Sequence, residues 1–133
     1  MKVLYQGIQT LFSTDNTLNT AVGGRLRPHE ALESDSFPYV VYSLISHVFD
    51  PYFGDSKNIE RFRVQFSIYS EKSSSTEVLN IFEYLKSLYD GCSLTVTGYT
   101  FLKCVRENSV FYRRPDLNVW EHHTDYIIEV STV

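Results

Sequence analysis

Apolar residues recur at helical spacing in the first part of the chain. Four of them stand at i, i+4, i+7 and i+8 and share one helix face: Leu4, Ile8, Leu11 and Phe12. After an interruption at residues 13–16, a short second helix is predicted through Leu18 and Val22. Gly23 and Gly24 are expected to end it, because glycine adopts positive φ at little cost.

A longer apolar stripe predicts a third helix in the middle of the chain. Its members are Val78, Ile81, Phe82, Leu85, Leu88 and Tyr89. Ser74 and Glu77 precede the stripe at the spacing of a capping box, in which each side chain satisfies a backbone N–H. Asp90-Gly91 is expected to end this helix.

The other segments favour strands. Residues 38–48 are rich in β-branched and aromatic residues, and residues 25–37 suggest a loop or a short edge strand. Strict alternation marks a half-buried strand whose inward residues are Phe62, Val64, Phe66 and Ile68. Residues 93–105 suggest two strands that meet near Thr97-Gly98, and a last strand turns Tyr126, Ile128 and Val130 to one face.

The element order α-α-β-β-α-β-β-β predicts one domain over residues 1–133. Its fold class is α+β: a two-layer sandwich with a mainly antiparallel sheet, on which one long and one or two shorter helices pack. Hydrophobic residues make up 43% and charged residues 21%, which is typical of a globular chain. Ten Tyr, nine Phe and one Trp are available for a core or for subunit contacts.

Charge and hydropathy exclude some partners. The net charge of −4 argues against sequence-specific binding of nucleic acid. No run of residues is long and apolar enough for a membrane span, and the N-terminal segment lacks the pattern of a signal peptide, so we expect no membrane partner.

No catalytic or cofactor-binding motif is present, so we predict neither enzymatic activity nor a cofactor. His122 and His123 are adjacent and point to opposite faces of a strand, so they do not share a metal, and no metal site is predicted. Cys92 and Cys104 form no framework; reduced thiols in a cytosol are favoured over a disulfide between them, which stays an alternative.

Charge is unevenly distributed along the chain. Residues 101–114 hold four cations and one anion, whereas residues 28–60 hold one cation and six anions. The two regions are either separate solvated faces or opposite flanks that meet head to tail between copies, and such a contact closes into a ring if the rotation between copies permits. For the second case the candidate contact residues are Phe49, Asp50, Tyr52, Phe53, Asp55, Arg113, Arg114 and Trp120.

The assembled pattern resembles the tail-completion proteins of long-tailed bacteriophages, which are also called tail-to-head joining or tail-terminator proteins. The resemblance covers roughly residues 3 to 131 and depends on element order and on three short patterns: Gly23-Gly24-Arg25, Phe37-Pro38-Tyr39 and the segment from Val64 to Ser70. Residues 113–130 depart from the shorter turn expected before the last strand, which leaves open whether Trp120 lies in the core or at a contact.

The resemblance implies a non-enzymatic virion protein that caps the head-proximal end of the tail tube as a ring, typically of six subunits. Its implied partners are other copies of itself, the major tail tube protein and the head-closure or connector protein. The implied location is the head–tail interface of the virion, after synthesis in the cytoplasm of a bacterial host. A capsid-side head-closure or minor tail protein is one alternative, and a small-ligand-binding α+β module is another. The same interpretation predicts that charge reversal at both Arg113 and Arg114 leaves the fold intact and impairs joining.

Overall fold

The computed structural model describes residues 2–51 and 58–132. Its elements are α1 (Lys2–Thr14), α2 (Thr17–Ala21), β1 (Leu26–Pro28), β2 (Tyr39–Pro51), β3 (Asn58–Ser70), α3 (Thr76–Tyr89), β4 (Tyr99–Arg114) and β5 (Val119–Thr132). The strands form one sheet in the order β1-β2-β3-β5-β4, in which only the β1–β2 pair is parallel. The helices pack on one face, and the predicted two-layer α+β sandwich is confirmed.

The predicted alternation on β3 and β5 defines the core. Phe62, Val64, Phe66 and Ile68 are each at most 1% exposed, and so are Tyr126, Ile128 and Val130 of the neighbouring β5. Each such side chain contributes roughly 1.5–3 kcal/mol when it leaves water. The inward face of these two central strands is therefore the main source of the fold's stability.

Aromatic rings fill the centre of this core. The Phe66 ring lies 4.7 Å from that of Tyr89 and 5.6 Å from that of Tyr126, the second pair edge to face. The buried Tyr89 hydroxyl donates to the carbonyl of Ile8 at 3.0 Å, which ties the end of α3 to α1. Burial also raises the pKa of Tyr89, so this phenol stays protonated and keeps its donor.

The segment after α3 differs from the prediction. Residues 93–97 are not a strand, and β4 begins only at Tyr99 after Gly98, whose φ is +88°. Leu94 and Val96 are buried, because this stretch packs against α1 instead of joining the sheet. A Cβ on Gly7 of α1 would stand 2.6 Å from the Thr95 carbonyl oxygen, which shows how closely the two backbones approach.

The capping box predicted before α3 is also wrong. Ser75 occupies the N-cap position without a side-chain hydrogen bond. The carboxylate of Glu77 instead accepts a hydrogen bond from the hydroxyl of Ser70 at 2.6 Å. Ser70 is fully buried at the end of β3, so the carboxylate satisfies a buried hydroxyl there.

The two remaining expectations concern β1 and the ends of helices. Residues 26–28 form the short edge strand β1, and Gly23 and Gly24 have φ angles of +58° and +76° after α2, as expected.

In the part of the chain that the structure describes, no helix has the length and apolarity needed to cross a bilayer.

Candidate assembly surfaces

The two hairpins of the sheet lie at opposite ends of the molecule. At one end, which we call the Phe49 end, Pro51 pairs with Asn58. At the other end, which we call the Trp120 end, the turn of residues 115–118 joins β4 to β5. Along β3 the eleven steps from Ile59 to Ser70 separate these levels, which is roughly 36 Å at about 3.3 Å per residue.

The first group of predicted contact residues belongs to the Phe49 end. Phe49 is 55% exposed and lies on β2, which continues to Pro51 and so extends past the predicted strand of residues 38–48. Asp50 is also part of β2, where it pairs with Ile59. Tyr52, Phe53 and Asp55 lie outside the described residues.

Arg113 and Trp120 belong to the Trp120 end, where they face each other across the β4–β5 pair. The guanidinium of Arg113 lies 5.3 Å from the Trp120 ring centroid, and the Phe111 ring meets Trp120 edge to face at 5.3 Å. Trp120 is half-buried and packs against the core. It is therefore partly a core residue, and its cation–π contact with Arg113 extends this packing to the surface.

Arg114 lies on the opposite face of the same hairpin, the open face that the helices do not cover. Its Nε donates to the carboxylate of Glu121, which is 4% exposed. The Tyr112 hydroxyl and His123 Nε2 lie 3.2 and 3.0 Å from the other oxygen of that carboxylate. Arg114 is thus engaged within the fold, although half of its side chain remains accessible to a partner.

Ser67, His123 and Glu121 stand in the order of a hydrolase triad on this open face. Ser67 Oγ lies 2.7 Å from His123 Nδ1, and His123 Nε2 lies 3.0 Å from Glu121 Oε1. However, Ser67 is only 7% exposed and sits in the middle of β3, where its backbone is enclosed by the ladders to β2 and β5. An acyl substrate would find neither access to the hydroxyl nor oxyanion donors from this strand. The arrangement fixes side chains across β3 and β5.

Ion pairs continue this network along the open face. Arg61 Nε donates to Glu129 at 2.8 Å, and Arg63 Nη1 donates to Asp125 at 3.1 Å. Arg63 also pairs with Glu107 of β4. The open face of the central strands is therefore a ladder of alternating charges whose partners are already present in the same chain.

The two outer edges of the sheet carry the two charged regions. The basic region of residues 101–114 lies on β4, which is one edge strand, and the acidic region begins at β1 and β2 on the other edge. The register shifts beside Leu102, beside Glu107 and beside Ile45 mark bulges on these strands. Bulges and charges on edge strands limit unselective pairing, so a contact at these edges would need specific side-chain complementarity.

The histidines and cysteines form no metal centre in the described ranges. His122 faces the helices, and its ring lies 3.9 Å from that of Phe82. Burial lowers the pKa of His122 to about 4, so it is neutral at pH 7. Cys104 is buried and Cys92 is half-buried, and the two are not bonded to each other.

Sequence reasoning did not single out Glu121 or the loop of residues 29–37 as sites. Most outward positions of β5 are acidic or imidazole, and the pairing places Glu129 opposite Arg61 of β3 and Glu121 opposite Tyr69. Without the strand pairing, this complementarity is not visible in the linear sequence.

No model of a protein family matches the chain, and no curated protein matches it. Among solved structures, a chain of the "Virion of native gene transfer agent (GTA) particle" aligns with a TM-score of 0.79 at 10% sequence identity. The alignment covers 95% of this chain and 92% of that chain. At this identity the likeness establishes a shared fold over nearly the full length of both chains.

Proposed function

We propose that this protein is a structural component of a phage-like virion that caps the head-proximal end of the tail tube as a ring and joins the tail to the capsid connector. The observation that carries this proposal is the near-complete match of its fold to a chain of a gene transfer agent virion. The resemblance in sequence pattern to tail-completion proteins narrows the role from virion component to tail completion. Six copies form the ring, which is made in the bacterial cytoplasm and is retained at the head–tail interface.

The layout of the sheet supports this role. Its two hairpins lie at opposite ends, separated by roughly 36 Å, so each end meets a different neighbour along the tail axis. Its two edges carry regions of opposite charge, so copies meet side by side. A protein that joins two structures as a ring needs both kinds of contact.

The candidate contact residues divide between the two ends. Phe49 and Asp50, with Tyr52, Phe53 and Asp55 beyond the described part, serve one axial partner. The turn of residues 115–118 and Trp120 serve the other, whereas Arg113 and Arg114, on the edge strand β4, serve the neighbouring copy. The tail tube protein and the connector protein are these partners, and no enzymatic step is assigned to either end.

A head-closure or minor tail protein is the alternative, and the experiment below separates head closure from tail completion. A ligand-binding module would need a pocket between sheet and helices. In the described residues that space is filled by aromatic rings in mutual contact, and a cavity of about 490 Å³ lies outside it, near Lys72, Glu77 and Tyr84. The virion role is therefore the better supported one.

The test is deletion of the gene from its phage or particle genome, followed by electron microscopy of the lysate. Tail completion predicts DNA-filled heads separate from tails, with tails that are abnormal at the head-proximal end. Heads that have lost their DNA would instead indicate head closure. Normal infectious particles would refute both roles.

A matched complementation makes the result specific to this chain. The wild-type gene supplied in trans restores joined particles, whereas a core variant such as Phe66→Asp, which removes the fold, does not. Failure of the wild-type gene to restore joined particles would show that the deletion acts through a neighbouring gene, and restoration by the Phe66→Asp variant would show that the fold is not needed.

A further inference from the structure

The strand register fixes which parts of the two sheet edges lie at the same height. Val40 of β2 pairs with Leu26 of β1 and, on its other side, with Ile68 of β3. Ile68 continues through β5 to Phe111 of β4. The short edge strand β1 and residues 109–111 of β4 are therefore level with each other on opposite edges.

An acidic loop lies at this level. Residues 29–37, which we call the acidic loop, connect β1 to the start of β2 and expose Glu30, Glu33 and Leu32, the last to 53%. Within the described ranges Glu30 and Glu33 form no ion pair. Their charge is therefore not neutralised within that part of the chain.

The acidic loop is held in shape by Arg27. The Arg27 guanidinium donates to both oxygens of Asp35, at 3.0 and 3.1 Å. Asp35 also accepts from the backbone N–H of Leu32 at 2.9 Å, and the N–H of His29 donates to the Tyr42 carbonyl at 2.8 Å. A surface fixed in this way loses little conformational entropy when it binds.

The part of β4 that is level with the acidic loop, on the opposite edge of the sheet, is accessible and basic. Residues 109–114, which we call the basic strip, expose Val110 to 50% and include Arg113 and Arg114. Nearer the middle of β4, Gly91 donates its N–H to the carbonyl of Cys104 at 3.2 Å and so covers that part of the edge. Among the described residues, no backbone group outside β5 bonds to residues 109–113.

We infer that the basic strip of one copy contacts the acidic loop of the next copy, and that this contact builds the ring. The inference rests on the proposed function, since it supplies the lateral contact of that ring. Opposite charge and two exposed aliphatic side chains, Leu32 and Val110, meet at one height. The contact is heterologous, so it repeats from copy to copy and forms a ring where the rotation between copies closes.

The acidic residues of the Phe49 end do not fit this contact. A closed ring has no net translation from copy to copy, so lateral contacts join edges at the same axial height. Arg113 and Asp50 differ by roughly 36 Å along the strands, whereas five strands at about 4.8 Å spacing are only about 19 Å wide. Only a strand tilt of about 60° would bring them together. The Phe49 end is thus left for an axial partner.

Charge reversal tests the contact in the full-length protein, with native mass spectrometry and sedimentation velocity as readouts. Glu30→Arg/Glu33→Arg raises the concentration needed for assembly by about tenfold or more, and adding Arg113→Glu to the same chain recovers part of the loss. Asn80→Arg/Glu83→Arg, which changes the net charge by +3 instead of +4 at exposed positions of α3 outside both surfaces, assembles like the wild type. Unchanged assembly of Glu30→Arg/Glu33→Arg would overturn the contact.

Crosslinking distinguishes a lateral contact at the height of the acidic loop from one at the Phe49 end. Leu32→Cys/Val110→Cys, treated with a short bismaleimide, gives a ladder of covalent oligomers, because the two sites lie on opposite edges of one copy and meet only between copies. Phe49→Cys/Val110→Cys is the matched control and gives no ladder; the wild-type chain controls for its own two thiols. A ladder from the control pair alone would overturn the inferred contact and leave the ring in place. A wild-type protein that stays monomeric with its tail partners present would overturn both the contact and the ring.

Discussion

Arg114, the last residue of β4, donates from its Nε to the carboxylate of Glu121, which is buried on β5. The pair links the two strands of the hairpin on the open face, and the Tyr112 hydroxyl lies 3.2 Å from the same carboxylate. Arg114 therefore stabilises the β4–β5 hairpin and also lies at a candidate contact. The expectation that charge reversal at both arginines leaves the fold intact is accordingly revised for Arg114.

Arg114→Gln is expected to lower the free energy of unfolding by more than Arg113→Gln does, because it leaves the buried Glu121 carboxylate without its cationic partner. Arg113→Gln is the matched control; it loses the cation–π contact with Trp120, worth about 0.5–1 kcal/mol near the surface, and a hydrogen bond to the Asn118 side chain. Urea denaturation at pH 7 measures both. A variant at Arg114 as stable as the wild type would show that the pair contributes nothing.

Phe66→Asp is expected to abolish folding. The ring is 1% exposed and contacts Tyr89 and Tyr126, so an aspartate there would bury an unpaired charge among aromatic rings. Val48→Asp places the same side chain on the same sheet at a position that is 48% exposed, and it is expected to fold normally. Circular dichroism and the yield of folded protein compare the two, and a cooperative wild-type-like melt of Phe66→Asp would contradict the packing described above.

Periodicity in the sequence predicts those helices and strands that have one continuous apolar face. The stripe on α3 and the alternation on β3 each present one continuous apolar face, so only one orientation buries it. The glycines after α2 are also visible, because a positive φ favours glycine at those positions.

Other features depend on partners that are distant in the sequence. Leu94 and Val96 alternate like a strand, yet they pack on α1, and nothing local separates the two outcomes. Glu77 has the spacing of a capping box, but a buried hydroxyl at the end of β3 competes for its carboxylate. The acidic loop and the basic strip lie at the same height along the strands because of four strand pairings, and these pairings cannot be predicted from composition.

Gly7→Ala is expected to destabilise the protein by about 1–3 kcal/mol. Within a helix this substitution normally stabilises by roughly 0.5–1 kcal/mol, so the sign itself is diagnostic. The reason is the Thr95 carbonyl oxygen, 2.6 Å from where the new Cβ would lie, which forces the segment before β4 away from α1. Gln6→Ala, at an exposed site on α1, is the control and is expected to change stability by less than about 0.5 kcal/mol. A thermal melt that places Gly7→Ala above the wild type would show that the two backbones are not in contact.

Stability is expected to fall between pH 6.5 and pH 4 because of His122. Burial lowers the pKa of His122 to about 4, with smaller contributions from His123 and Arg106, whereas the pKa in the unfolded chain is near 6.5. The folded state therefore binds fewer protons than the unfolded state in this window. The contribution of His122 is fully present above pH 6.5 and decreases by about 1.4 kcal/mol per pH unit as the pH falls, roughly 2–3 kcal/mol in all.

His122→Phe is expected to remove this part of the pH dependence, since phenylalanine does not titrate and its ring suits the contacts with Phe82 and Phe111. The His122 Nδ1 atom is buried without a hydrogen-bond partner in the described part of the chain, so the substitution costs no bond there at pH 7. His123→Gln, on the opposite face of β5, is expected to show nearly the same decrease in the free energy of unfolding with falling pH as the wild type. Urea midpoints from pH 7.5 to 4.5 give the comparison, and parallel losses in wild type and His122→Phe would assign the acid sensitivity to other groups.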